Sequence, residues 1–130
     1  MKIGNWNVRT RNQDGKIEEL VENFNKYGLD NCKLTETRMT GIDKMNVEGG
    51  LTMLVSGRRD DMHYQGVGLL LGRRAGNALT EWEPIDERFL CARFKSNHVN
   101  ISMFVCYGPT NSATVEQKDN FYEKLQDAVS

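Results

Sequence analysis

Leu34-Thr35-Glu36-Thr37-Arg38 is the stretch around which the chain is organised: an apolar run over 29–35 ends there in a carboxylate flanked by two hydroxyls and followed by a guanidinium. A strand ending just before Glu36 presents that side chain at the carboxyl end of a sheet. There a carboxylate can ligate a hard cation such as Mg²⁺, and Arg38 can hold a phosphate oxygen. The plainer alternative is a strand running out into a solvated polar loop.

Upstream, residues 2–8 alternate apolar and polar around Trp6 and read as a strand with Asn7 emerging at its end. Between the two strands, Ile17, Leu20, Val21, Phe24 and Tyr27 recur at helical spacing, with Gly28 placed to stop the helix. Glu18, Glu19, Glu22 and Lys26 occupy the opposite face, so this helix covers one side of a sheet and forms a strand–helix–strand crossover. Asn31, Cys32 and Lys33 interrupt the second apolar run. A lysine buried there without a partner costs several kcal/mol, so either Lys33 snorkels to an edge or the strand leading to Glu36 is displaced.

Downstream, residues 40–50 read as a loop and 51–56 and 67–71 as a hairpin. A short helical turn follows over 73–79; Trp82 and Pro84 then lead to a strand over 88–95 and another over 99–107 that ends on Tyr107. Thr114-Val115-Glu116-Gln117 is a capping box opening a last helix. The expectation is a single domain over 1–130, of α/β class, with six strands in one mixed, mainly antiparallel sheet and helices on one side.

A formal charge of −1 and a pI near 6.1 exclude a broad basic field, so any contact with nucleic acid has to be local. Cys32, Cys91 and Cys106 are odd in number and lack C-x-x-C spacing, and they read as buried, reduced thiols rather than zinc ligands. With no charged-then-apolar leader and no apolar run near eighteen residues, the expectation is an intracellular protein with no membrane association.

Two further stretches, Asn5-Trp6-Asn7-Val8-Arg9-Thr10 and Cys106-Tyr107-Gly108-Pro109-Thr110-Asn111, join the Glu36 stretch. Together they resemble the endonuclease/exonuclease/phosphatase family, nearest to the endonucleases of non-LTR retrotransposons and sequences derived from them, over the amino-terminal half of that domain. The resemblance implies half of a four-layer α/β/β/α sandwich, a Mg²⁺ (or Mn²⁺) cofactor, DNA as substrate and a nuclear location. It implies Asn7, Glu36 and Tyr107 as catalytic residues, Glu36 being the metal ligand, with Arg38, Arg9 and Asn111 on the substrate. Half a sandwich leaves an apolar sheet face uncovered, which points to self-association or a covering partner.

The plainer alternatives are an Asn7 satisfying a turn and a Tyr107 capping the core beside Pro109. The family's Asp-x-Asn and Ser-Asp-His motifs do not occur in these residues, and neither His63 nor His98 stands in such a motif. The water-activating half of the site therefore has no candidate, and the chain alone is expected not to cleave DNA. A non-catalytic remnant serving as a protein-interaction module, or a phosphatase acting on a small phosphoester, remain the alternative functions.

Overall fold

The apolar runs form two packed sheets and two helices in the computed structural model, which describes residues 2–8, 13–39, 41–57, 66–95 and 100–107. The order is β1 (Ile3–Asn7), α1 (Gln13–Lys26), β2 (Asn31–Thr35), β3 (Ile42–Val47), β4 (Leu51–Ser56), β5 (Val67–Leu71), α2 (Arg73–Ala78), β6 (Leu79–Asp86), β7 (Phe89–Lys95) and β8 (Asn100–Cys106). Arg9, Asn111, His63, His98 and the expected last helix lie outside the described residues.

The crossover falls where the helical spacing puts it. Gly28, at φ +61, turns the chain out of α1, and the Leu29 N–H closes back on the Phe24 carbonyl at 3.2 Å, the C-terminal motif that a glycine permits. β1 and β2 then pair in parallel, with Asn7 opposite Thr35. β2 continues antiparallel to β5, giving a mixed sheet in the order β1-β2-β5-β4-β3.

The α/β class holds, but the strands divide between two sheets instead of forming one. β6, β7 and β8 make a separate antiparallel sheet. Two segments without strand signatures account for part of this difference. Residues 40–50 were expected as a loop, yet they contain β3, an edge strand whose Asp43, Lys44 and Asn46 face water while Met45 and Val47 are half-buried. Charges on an edge hide its period from a pattern search and also discourage edge-to-edge pairing. The second segment is β6, whose Pro84 is tolerated because β6 lies at an edge of its sheet and its register shifts beside that residue.

The period of two along the central strands sends side chains to two different cores. On one face Cys32, Leu34, Met53, Val55 and Leu70 pack under Leu20, Val21 and Phe24 of α1. On the other, Leu54, Val67, Leu69 and Leu71 meet Leu90, Ala92, Phe94, Met103 and Val105 of the second sheet. The inner face expected to stand uncovered is therefore covered by β6–β8, which removes the physical basis for inferring self-association from it. Lys33 is half-buried, and the ladder runs unbroken through it, Asn5 on one side and Leu69 on the other, so β2 reaches Glu36 in register. All three cysteines are free; Cys32 and Cys91 are buried as expected, whereas Cys106 is exposed. Among the described residues no helix is long and apolar enough to cross a membrane.

The Glu36 end of the sandwich is stitched both within the mixed sheet and across to the second one. The Thr37 N–H donates to the Gly66 carbonyl at 3.1 Å, the Gly66 N–H to the Glu87 carbonyl at 3.0 Å, and the Ser56 hydroxyl to the Asp86 carbonyl at 2.7 Å. Gly66 has φ +96, and a Cβ there would sit 2.5 Å from Thr37 Oγ1. Gly66→Ala should therefore cost about 1–3 kcal/mol in a urea denaturation series. Gly49→Ala, at φ +77 but with nothing within 4 Å of the new Cβ, should show only the backbone part, so equal losses would remove the Thr37 contact as a cause.

Burial pushes the Cys32 thiol up from near 9 to about 11, so the unfolded chain releases this proton before the folded one does. Stability is then intact below pH 9 and declines towards pH 11 by on the order of 2 kcal/mol. Chemical denaturation from pH 8 to pH 11 checks this: Cys32→Ala should flatten the decline, and an unchanged slope would assign it to other groups.

Candidate functional site

Three elements end at one place. β1 delivers Asn7, β2 delivers Glu36 and β8 delivers Tyr107, the first two from the mixed sheet and the third from the antiparallel one. The Val8 N–H donates to the Thr35 carbonyl at 2.9 Å, which fixes the end of β1 beside the residue preceding Glu36. Asn7 follows Trp6 and its ladder partner Thr35 follows Leu34, both of which pack on the α1 side, and so by alternation Asn7 and Thr35 sit on the face turned towards the second sheet.

The central contact is between sheets. The Tyr107 hydroxyl donates to Glu36 Oε1 at 2.5 Å, joining residues 71 positions apart, and both side chains are half-buried. A carboxylate acceptor makes this a charge-assisted hydrogen bond. Tyr107 is in turn held from behind: its N–H donates to the Arg88 carbonyl at 2.9 Å, and the Arg88 guanidinium carbon lies 5.8 Å from the centre of its ring. The Arg88 N–H donates to Asp86 Oδ1 at 2.8 Å. The β6–β7 turn thus supplies both the anchor for Tyr107 and a cation stacked on it.

The backbone carries strain at the same place. Glu36 has φ +50 and Arg38 φ +56, in the left-handed region that costs a residue with a Cβ roughly 1–2 kcal/mol. Thr37 between them is 1 % exposed; its hydroxyl accepts from the Met39 N–H at 3.5 Å and its own N–H is tied to Gly66. A buried threonine clamped between two left-handed residues holds Glu36 at the end of the strand. Strain of this kind gathers at functional sites.

Of the residues singled out from the sequence, the structure brings Glu36 and Tyr107 into direct contact and puts Asn7 one ladder position from Glu36. Arg38 is half-buried at the same rim, and among the described residues its side chain has no ion pair. The residues that sequence reasoning missed are Arg88 and Asp86, while the burial of Thr37 was not foreseen from its place in the Glu36 stretch. Arg88 stood in the sequence only as the start of a strand; the register of β7 on β8, which brings it beside Tyr107, is set by the folded pairing.

Chemically, the rim offers hard oxygen donors and a phenol. Among the described residues no three His, Cys, Asp or Glu side chains converge to hold a metal. A single carboxylate suits a hydrated Mg²⁺, which keeps most of its waters and takes one or two carboxylates plus phosphate oxygens. It does not suit a fully protein-enclosed zinc site.

Comparison with known proteins bears on the whole chain. The chain is similar to craniofacial development protein 2 of Bos taurus, 27% identical over 124 residues, which is 95% of this chain and 20% of that protein. It is similar to craniofacial development protein 2 of Tragulus javanicus at 26% over 124 residues, 95% of this chain and 21% of that protein. The chain thus spans about a fifth of the length of these relatives. No family model matches it.

Proposed function

We propose that this chain is the phosphate-polarising, amino-terminal half of a Mg²⁺- or Mn²⁺-dependent DNA endonuclease of the endonuclease/exonuclease/phosphatase type, of retrotransposon origin and acting in the nucleus. The observation that carries the reading is the Tyr107–Glu36 hydrogen bond, which joins two of the three stretches bearing the resemblance across two separate sheets. The likeness to craniofacial development protein 2 over nearly the full chain agrees with it. The left-handed backbone at Glu36 and Arg38, on either side of the buried Thr37, supports it further, since strain of this kind gathers at functional sites.

In this reading Glu36 holds the cation with Asn7 beside it. A bound Mg²⁺ supplies the positive charge that makes the phosphate susceptible to attack and offsets the developing oxyanion. The Tyr107 hydroxyl, anchored by the β6–β7 turn, turns its proton from Glu36 to a non-bridging phosphate oxygen. Arg88, stacked on the same ring, adds a fixed cation behind the phenol, and Arg38 contacts the phosphodiester from the rim; Arg9 and Asn111 extend that contact along the DNA. Orienting the attacking water falls to none of these residues. The Asp-x-Asn and Asp-His pairs that the family uses are absent from the sequence.

Titrating Mg²⁺ while following backbone amide resonances should give weak binding with shifts centred on Asn7 and Glu36, lost in Glu36→Gln. Shifts centred elsewhere, or surviving that substitution, would remove the metal site.

A supercoiled-plasmid nicking assay with Mg²⁺ should show no cleavage above background by this chain, since a missing water-orienting group costs orders of magnitude in rate. Nicking that disappears in Glu36→Ala would demonstrate a complete site and overturn the half-site reading.

A further inference from the structure

The two sheets are stitched together at the Glu36 end and part at the other. Between them, at the start of β2 and the end of β7, lies a cleft of about 350 Å³. Phe94, Ile101 and Met103 of the second sheet form one wall, and Ala75 and Ala78 of α2 form another. Asn31, only 2 % exposed, brings a side-chain amide to this otherwise apolar interior.

The mouth is charged. Arg74 and Lys95 both line the cleft, both are exposed, and among the described residues neither has an ion pair. Asp30 is the acidic residue of the lining, and its carboxylate already accepts the Lys2 backbone N–H at 2.6 Å. The local balance is therefore two cations against one partly satisfied anion. A concave space of this volume, with apolar walls and a few convergent polar groups, has the character of a small-molecule site.

We propose that this cleft binds a small amphipathic organic anion, its apolar body between the sheets and its carboxylate- or phosphate-type head on Arg74 and Lys95. Charge complementarity selects the head, and the apolar walls select a body that a free inorganic anion lacks. The site lies at the opposite end of β2 from Glu36 and does not depend on the nuclease reading.

Three probes of equal chain length separate the terms: octanoate, octanol and octylammonium, titrated into the whole chain at low salt while side-chain methyl and aromatic resonances are followed. Octanoate should shift Phe94, Ile101, Met103 and Ala75 and bind about five- to tenfold more tightly than octanol, with octylammonium weakest. The double substitution Arg74→Glu/Lys95→Glu, at two exposed positions that leave the core intact, should reverse the order of the charged probes. Ala75→Leu, which fills the cleft, should weaken all three, and Glu36→Gln should change none. Equal affinity for the three heads, an order unchanged in the charge-reversed variant, or shifts confined to other residues would each overturn the proposal.

Discussion

Every residue of β5, from Val67 to Leu71, is buried, and the strand lies between β2 and β4 with a core on each face. A strand in that position cannot be satisfied by one layer. Its Leu70 needs the helix α1 and its Val67, Leu69 and Leu71 need a second sheet, so the three-layer arrangement follows from five consecutive apolar residues. Once β6–β8 are drawn over that face, the end of β8 is carried to the end of β2, and Tyr107 meets Glu36 as a by-product of packing.

The two ends of the sandwich differ because their residues do. At the Glu36 end the Gly66 N–H and the Ser56 hydroxyl reach the Glu87 and Asp86 carbonyls of the other sheet, while the Thr37 N–H ties the end of β2 to Gly66 within its own sheet. At the other end the exposed Arg74 and Lys95 keep their charges in water at the mouth, and the short Ala75 and Ala78 side chains of α2 leave the gap unfilled. One sequence thus makes a hydrogen-bonded rim at one end and an open seam at the opposite edge.

Much of this was legible from the residues. The helix α1, its Gly28 stop, the β4–β5 hairpin and β8 leading into Tyr107 all announced themselves by period and punctuation. β3 and β6 did not, because edge strands have one face to water and one edge without a partner, which weakens the alternation that sequence reading depends on. The division into two sheets was illegible for a different reason: hairpin signals specify which neighbours pair locally, and β6–β8 form a self-sufficient meander whose separation from the mixed sheet is decided by packing alone. Lys33, which looked out of place in a buried strand, is accommodated with its backbone pairing intact on both sides. In the site, Glu36 and Tyr107 were legible as strand ends, while Arg88 acquires its place through a tertiary contact.

The span of the Tyr107–Glu36 bond also bears on the order in which the molecule folds. The β4–β5 hairpin, the β6–β7–β8 meander and the β1–α1–β2 crossover each close short loops, whereas this hydrogen bond joins groups 71 positions apart and repays its loop entropy only after both sheets have docked. Assembly of the rim is then a late event, and a chain that has formed its secondary structure but not its interlayer packing has every strand it needs and no site. Loss of the site in a destabilised variant would thus precede loss of helix and strand content, which makes the phenol's environment a stricter measure of native structure than the backbone signal.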